Sequence, residues 1–340
     1  MTTALYAFVT AGVFILFISS QILNLGDYIP TSGLSNKSNR SLQSVSAVTS
    51  GTKQPRCLHS TPRFKGIKVY SQNDEDGILL HLLRCMGGHG TREYFEFGGS
   101  DGQVTNTRIL REHYGWKGHM LDGGYDIPEI NLHKEYFTPS NIVQLMTKYK
   151  VKKTLDVLSV DTDCDDLWIT REILVAGYKP RILITEYNPN FDSSTAVSTL
   201  PKEIGKEGEK HCWGSYHGAS AFAFHKLLRA FGYTLVHSNG VNLFFVQNHM
   251  ALGQGLDLPS YNDVMPPLEK KNKAELDGGF SRSPLSKNRR WAFIDDKAAE
   301  VLCHSHLLSH RSIKKMMEES SVELERVETD DYRFFTVKKT

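Results

Sequence analysis

Residues 94–107 read Tyr-Phe-Glu-Phe-Gly-Gly-Ser-Asp-Gly-Gln-Val-Thr-Asn-Thr. The apolar residues predict a buried strand, the glycine-rich run predicts a turn, and a helix is expected to begin near Val104. Gly98, Gly99 and Gly102 let the backbone adopt positive φ where required and approach a ligand closely. The spacing differs from the dinucleotide-binding pattern G-x-G-x-x-G. This stretch predicts the first strand of an α/β sheet, with a ligand at its turn.

Two acidic residues accompany this turn. Glu96 stands just before it, where a carboxylate either contacts the amino group of a ligand or orders the loop. Asp101 adds negative charge, which suits a cationic ligand better than a pyrophosphate. The simpler interpretation of the same residues is a tight turn without a ligand.

Short apolar strands alternate with longer helical segments around this turn. Strands are predicted over residues 93–97, 118–121, 141–145, 155–160 and 181–186, and helices over 74–86, 104–114, 125–137, 165–176 and 219–231. This alternation is typical of a parallel sheet with helices on both faces. Two further strands, at 233–237 and 242–247, are separated by Ser-Asn-Gly-Val, which predicts an antiparallel hairpin. The predicted fold is therefore α/β and Rossmann-like, a mostly parallel sheet closed by an antiparallel hairpin.

The second predicted strand ends in Asp122, within the run Trp-Lys-Gly-His-Met-Leu-Asp-Gly-Gly at residues 116–124. In nucleotide-binding sheets, an acid about 20 residues beyond the glycine-rich turn accepts hydrogen bonds from the ribose hydroxyls. The alternative role for Asp122 is to cap the helix that follows. Together with the glycine-rich turn, Asp122 favours a nucleoside ligand.

The fourth predicted strand delivers four acids to its carboxyl end, the edge where open α/β sheets bind ligands. They are Asp161, Asp163, Asp165 and Asp166. In the simplest interpretation, Asp165 and Asp166 charge the first turn of the next helix. Asp161 is instead a candidate to face the reacting centre.

A divalent metal is the third interpretation of these acids. Asp161 and Asp163 would supply oxygen ligands, and Glu186 or Asn188 from the end of the fifth strand would complete the shell. Two further residues are candidates at the same edge. Tyr187 offers an aromatic face or packs in the core, and His217 is a candidate general base or a structural histidine.

Charge and cysteine content exclude several classes of protein. The chain has 340 residues, with Lys+Arg 40 against Asp+Glu 38, a net charge of +2. A dedicated nucleic-acid binder is not expected, because phosphate affinity depends on excess basic charge. Five cysteines are too few for a disulfide scaffold, and the odd number leaves at least one unpaired. None has CxxC spacing, so a structural zinc site is not expected.

The N-terminus carries an uncharged apolar run over residues 4–23, long enough to span a bilayer as a helix. We expect residues 1–24 to be an uncleaved membrane anchor, with a cleaved signal peptide and a buried core helix as alternatives. Residues 25–65 are rich in Ser, Thr and Asn and predict a flexible stem. Asn36 and Asn39 lie in glycosylation sequons, which favours a lumenal orientation in the ER or Golgi, or a secreted form after cleavage. An α/β domain over 66–250 and a loop and helical extension over 251–340 complete the predicted organisation.

Taken together, residues 70–77, 96–106, 116–123, 155–168, 180–189 and 218–247 resemble the FkbM-type methyltransferase family. The resemblance implies a class I methyltransferase fold that binds S-adenosylmethionine. It implies Glu96, Gly98 and Gly102 in the first loop and Asp122 at the ribose as cofactor-binding residues, with Asp161 near the methyl donor. Gly99, Asp101 and Tyr187, which the sequence places in the same turn and at the same edge, complete the predicted cofactor-binding set. The first loop departs from the common Asp-Val-Gly-Ala-Asn-x-Gly, and Asp122 stands where relatives often have Glu.

The expected function is methyl transfer from S-adenosylmethionine to an oxygen of an acceptor, with Asp161 or His217 taking the acceptor proton. The acceptor, a small molecule, a glycan or a protein, has no signature in the sequence. One alternative is a metal-dependent glycosyltransferase, because Asp161-Thr-Asp163 forms a DxD sequence at a strand end. The other is a membrane-anchored interaction or trafficking protein that keeps the fold without catalysis.

Overall fold

The computed structural model describes residues 55–201, 212, 216–265, 291–304, 315, 324–328 and 333–337. The chain divides into two compact units, residues 1–52 and 53–340, and the described residues belong to the second. The predicted anchor, most of the predicted stem and both sequons lie outside the described residues. Within the described ranges, no helix is both long and apolar enough to cross a bilayer.

A seven-stranded sheet forms the centre of the domain. Its strands, named β1 to β7 in chain order, are Glu93–Phe97, Lys117–Asp122, Leu132–Lys134, Val157–Val160, Ile182–Glu186, Tyr233–Ser238 and Asn242–Gln247. Their spatial order is β3-β2-β1-β4-β5-β7-β6. Strands β1 to β5 pair in parallel, whereas β7 is antiparallel to both β5 and β6. The predicted fold class is confirmed: the domain is a Rossmann-like α/β fold closed by an antiparallel hairpin.

Nine α-helices, named α1 to α9 in chain order, are described. They are Cys57–Ser60, Glu75–Cys85, Arg108–Tyr114, Ile142–Lys148, Asp166–Val175, Ala221–Ala230, Asn248–Gly253, Tyr261–Val264 and Asp296–His304. Short 3₁₀ turns occur at Thr61–Arg63 and Pro128–Ile130. Two small antiparallel pairs join Val197–Ser198 to Ala292–Phe293 and Leu324–Glu328 to Arg333–Val337.

The core is built across the strands at fixed register. Phe95, Leu158, Leu183, Phe245 and Leu235 are successive partners from β1 to β6, and each is fully buried. Such continuous apolar strands are expected of a parallel sheet that is covered on both faces. The buried core therefore extends across all the strands whose ends carry the acidic residues.

Three of the predicted elements differ in the structure. The predicted helix over 125–137 is instead a 3₁₀ turn and the edge strand β3, because Asn131 adopts positive φ and ends the turn. The predicted strand over 141–145 is helix α4, whose buried Ile142, Leu145 and Met146 have helical spacing. Helix α3 begins at Arg108 rather than near Val104, since the preceding residues bind Glu96.

Two disulfides, which the sequence pattern does not predict, stabilise the domain. Cys57 bonds to Cys85, and Cys164 bonds to Cys212. Cys303 is unpaired, as the odd number requires. The first disulfide attaches residues 55–64, which fall within the predicted stem, to helix α2, and Leu58 is fully buried there. The folded domain therefore begins upstream of residue 66.

Candidate functional site

The glycine-rich turn, Asp122 and Asp161 meet at the carboxyl ends of β1, β2 and β4. The Ser100 amide donates a hydrogen bond to Asp122 Oδ2 at 2.9 Å. On the other side of the turn, a Cβ atom on Gly98 would lie only 1.8 Å from the carbonyl oxygen of Asp161. The strand order reverses at β1, because β2 and β3 lie on one side of it and β4 and β5 on the other, and such a switch point is where open α/β sheets bind ligands. The structure therefore brings together three of the predicted site elements.

The turn uses its glycines for conformation and for space. Gly98 and Gly102 both have φ of +75°, which L-residues with a side chain rarely adopt. Gly102 also packs against the Ile130 side chain, where a Cβ would lie 2.4 Å from Cδ1. Gly99 is buried against Met120, whereas Asp101 is exposed and accepts a hydrogen bond from the Gln103 amide. The exposed backbone at Gly98 and Ser100 is the part of the turn open to a ligand.

Glu96 orders the loop, which is one of its two predicted roles. Its carboxylate is buried and accepts hydrogen bonds from the Asn106 amide, the Thr107 amide and the Thr107 hydroxyl. The Asn106 side chain in turn donates to Ser159 of β4 at 3.1 Å. Burial raises the pKa of Glu96 against the opposing effect of these hydrogen bonds. Glu96 therefore orders the turn through hydrogen bonds from its buried carboxylate. The carboxylate does not face the open edge, contrary to its predicted cofactor contact.

Asp122 is half-buried and lies at the open edge. Its second carboxylate oxygen accepts a hydrogen bond from the Gly124 amide at 2.7 Å. Each oxygen has a further lone pair, so the carboxylate can still accept from a ligand hydroxyl. The backbone of Asp122 is fixed by β3, because the Glu135 amide donates to the Asp122 carbonyl. The alternative role of Asp122, an N-cap, is excluded since a 3₁₀ turn and β3 follow it.

An acidic cluster of Asp161, Asp163 and Glu186 occupies the ends of β4 and β5. Carboxylate oxygens of all three lie within 4.8 Å of one another. Burial, together with the neighbouring carboxylates, raises the pKa of Asp161 to about 7 and that of Glu186 to about 9. The two carboxyl groups are hydrogen-bonded, so one proton is held between them near neutral pH. This arrangement is stabilised by any cation that enters the site.

The other acids of the same loop have structural roles. Asp166 is buried, and its Oδ1 accepts hydrogen bonds from both the amide and the hydroxyl of Thr162. Burial raises the pKa of Asp166 well above its usual range. Asp165 is the residue before helix α5. Asp165 and Asp166 therefore belong to the start of α5, as the simplest interpretation predicted.

Tyr187 and Asn188 do not contribute side chains to this site in the way expected, and His217 is placed by its backbone. Tyr187 packs in the core, and its hydroxyl accepts a hydrogen bond from Ser238. Asn188 is fully buried and its Oδ1 accepts from Asn190, so it is not a metal ligand. The His217 carbonyl accepts from the Asn188 side chain, which places the backbone of His217 beside the end of β5. Tyr187 therefore has its alternative role, in the core.

The oxygen ligands of the acidic cluster are of the type that Ca²⁺, Mg²⁺ and Mn²⁺ prefer. A second group of potential ligands, Cys57, His81 and Cys85, is also close together. Its two sulfur atoms are joined in a disulfide, so they are not available to a metal. Of the two groups, only the acidic cluster lies at the sheet edge with Asp122.

Sequence reasoning missed the attachment of this loop to the chain after β5. Cys164 bonds to Cys212, and the Thr199 hydroxyl donates to the Cys164 carbonyl at 3.3 Å. The signal in the sequence is the cysteine within the acidic run, but the small total number of cysteines does not favour a disulfide there.

No protein-family model matches the chain, and no curated protein is similar to it at the level that marks a relative. Fold and site define the protein as a Rossmann-like α/β protein with a cluster of three acids at the carboxyl edge of its sheet.

Proposed function

We propose that this protein is an S-adenosylmethionine-dependent methyltransferase that transfers a methyl group to an oxygen of an acceptor. The observation that carries the proposal is the contact of the glycine-rich turn with Asp122 at the switch point of the sheet. The strand order β3-β2-β1-β4-β5-β7-β6, with β7 reversed, supports it, because class I methyltransferases have this arrangement. The resemblance of residues 70–247 to FkbM-type enzymes is consistent with the same proposal.

The described residues fit this cofactor. The exposed backbone of Gly98 and Ser100 leaves room for a nucleoside, and Asp122 can accept hydrogen bonds from two ribose hydroxyls. The acidic cluster offers negative charge to the α-amino group and to the positive sulfonium. Glu96 is excluded from these contacts by its burial, so the amino group would be held by Asp161 or Glu186.

When bound, S-adenosylmethionine supplies a methyl group that is already activated by the sulfonium. Asp122 and the turn orient the nucleoside, and the ends of β4 and β5 bring the acidic cluster to the same edge. In this proposal Asp161 accepts the proton of the acceptor hydroxyl at its carboxylate oxygen, a role that its pKa near neutral pH supports. Glu186 keeps Asp161 in position through their hydrogen bond.

The two disulfides support the proposed compartment. Disulfides persist in oxidising compartments and are rare in the cytosol. Cys57–Cys85 and Cys164–Cys212 therefore favour a domain in the ER or Golgi lumen, or a secreted form. With the apolar N-terminal run as an anchor and Asn36 and Asn39 glycosylated, the protein would be a single-pass membrane glycoprotein.

Replacing Asp122 by Asn tests the proposed ribose contact. Asp122→Asn keeps the shape of the side chain but loses the charge and one acceptor oxygen. Hydrogen bonds to a charged group contribute about 1.5–3 kcal/mol, so we expect the Kd of S-adenosylhomocysteine to rise roughly 10- to 100-fold. Isothermal titration calorimetry on the full-length protein measures this change. Asp101→Asn, an exposed acid of the same turn, is the control, and equal affinities of all three proteins would contradict the ribose contact.

The acidic cluster predicts an unusual dependence of stability on pH. The pKa values of Asp161 and Glu186 are higher in the folded protein than the usual value of about 4 in an unfolded chain. The folded state therefore binds more protons above about pH 4, and its stability falls as pH rises to about 7 for Asp161 and to about 9 for Glu186.

We expect the variant Asp161→Asn/Glu186→Gln to lose much of this pH dependence. Its melting temperature at pH 9 should exceed that of the wild type by roughly 2–4 °C for each kcal/mol of repulsion removed. Calorimetric melting between pH 5 and 9 measures the difference, with Asp101→Asn as the control. Parallel melting curves for wild type and double variant would show that the cluster carries no such repulsion.

A metal-dependent glycosyltransferase is the second candidate, favoured by the proximity of Asp161, Asp163 and Glu186. It leaves the contact between the turn and Asp122 without a role. Thermal-shift titration with Mn²⁺ and a uridine diphosphate sugar distinguishes the two. Stabilisation that requires both would favour the glycosyltransferase, and stabilisation by S-adenosylhomocysteine without metal would favour the methyltransferase.

A further inference from the structure

The loop between β4 and α5 is attached to the chain after β5 at two places. The Cys164–Cys212 disulfide bridges 48 positions of sequence with a Cα–Cα distance of 6.0 Å. Next to it, the Thr199 hydroxyl donates to the Cys164 carbonyl, and the Trp168 indole donates to the Thr199 carbonyl at 2.8 Å. The loop and the segment at Thr199 therefore form one structural unit.

The same loop carries two members of the acidic cluster. Asp161 is three residues and Asp163 one residue before Cys164. On its inner side, the loop is held by Thr162, which donates two hydrogen bonds to Asp166. Repulsion between the carboxylates of Asp161, Asp163 and Glu186 opposes this conformation of the loop. A covalent attachment of the loop therefore stabilises it against that repulsion. Asp122, by contrast, makes its contact with the Ser100 amide on the other side of the switch point, and only Gly98 of the glycine-rich turn lies against the Asp161 carbonyl.

We propose that the Cys164–Cys212 disulfide is a positioning element of the site, which holds Asp161 and Asp163 against their mutual repulsion. This inference rests on the proposed function, in which the cluster faces the sulfonium. Opening the disulfide increases the mobility of the loop that carries Asp161 and Asp163, and it leaves Asp122, the proposed ribose contact, in place. The bond forms when two thiols lose two electrons and two protons to the disulfide of an oxidoreductase, which becomes a dithiol.

The comparison of a cationic with a neutral ligand tests this positioning role. S-adenosylmethionine carries the sulfonium charge, and S-adenosylhomocysteine has a neutral thioether in the same place. The preference for the cation is the Kd of S-adenosylhomocysteine divided by the Kd of S-adenosylmethionine. In Cys164→Ala/Cys212→Ala we expect this ratio to fall at least threefold. The affinity for S-adenosylhomocysteine itself should change less than twofold. The matched control, Cys57→Ala/Cys85→Ala, removes the other disulfide and should leave the ratio unchanged.

An unchanged ratio in Cys164→Ala/Cys212→Ala, or an equal decrease in both double variants, would overturn the inference. Hydrogen–deuterium exchange of the full-length protein supplies a readout that needs no ligand. Exchange in residues 161–166 should increase in Cys164→Ala/Cys212→Ala and not in the control, while residues 117–122 stay protected in both. If the wild type binds neither ligand, the proposed function fails, and unchanged exchange in residues 161–166 would separately overturn the positioning role.

Discussion

Gly98→Ala is expected to abolish binding of S-adenosylhomocysteine and to destabilise the domain. The added Cβ would lie 1.8 Å from the carbonyl oxygen of Asp161, which is backbone and cannot move aside cheaply. The φ of +75° at Gly98 adds about 1–2 kcal/mol of strain for a residue with a side chain. The turn would have to move away from β4, and its contact with Asp122 would be lost. We therefore expect a decrease in the free energy of unfolding of more than about 2 kcal/mol.

Gly123→Ala is the matched control for this variant. Gly123 lies near the same edge and is exposed, and a Cβ added there would meet no described atom within 4 Å. Its free energy of unfolding should stay within about 0.5 kcal/mol of the wild type. Urea unfolding and calorimetric titration measure both properties. Normal stability and ligand affinity in Gly98→Ala would show that the turn does not approach β4 as closely as described.

Asp156→Ala is expected to cost the domain about 3–5 kcal/mol, because it leaves the Arg181 guanidinium buried without its anionic partner. Asp156 is fully buried just before β4 and accepts hydrogen bonds from the Gly90 and Arg92 amides and from Arg181 at 2.8 Å. Arg181 also donates to the Gly88 and Met86 carbonyls. This network ties the chain after α2 to the amino ends of β4 and β5, opposite the ligand edge.

Lys152→Ala, which breaks the exposed ion pair with Glu93, is the control and should cost no more than about 1 kcal/mol. Urea unfolding at pH 7 measures both variants. If Asp156→Ala does not fold, Asp156→Asn, which keeps a neutral acceptor, should fold with reduced stability. A loss below about 1 kcal/mol in Asp156→Ala would contradict the buried network. Because the network lies at the opposite end of β4 from Asp161, the affinity of any folded Asp156 variant for S-adenosylhomocysteine should be unchanged.

Strands β1, β2, β4 and β5 could be predicted from sequence because they are short apolar runs that end at acids or glycines, whereas the edge strand β3 could not. Asp122 and Asp161 could be placed at the same edge for this reason, since parallel strands present their carboxyl ends together. The hairpin could be predicted as well, because the four residues Ser-Asn-Gly-Val between the two predicted strands are too few for a crossover connection.

The predictions that were wrong or missing concern local sequence patterns whose structure depends on tertiary contacts. Residues 141–145 are apolar enough for a strand, and their helical spacing appears only when Met146 is included. The role of Glu96 depends on where Asn106 and Thr107 lie in space, which spacing along the chain does not reveal. The disulfide partner of Cys164 is 48 residues away, so no local motif indicates the pairing.

The central claim is that the nucleoside shared by S-adenosylmethionine and S-adenosylhomocysteine binds at the edge formed by Gly98, Asp122 and Asp161. Isothermal titration calorimetry tests this claim most directly, with S-adenosylhomocysteine titrated into the purified full-length protein. We predict saturable binding at one site, weakened in Asp122→Asn and absent in Gly98→Ala. The absence of any binding to the wild type at high micromolar ligand would contradict the claim.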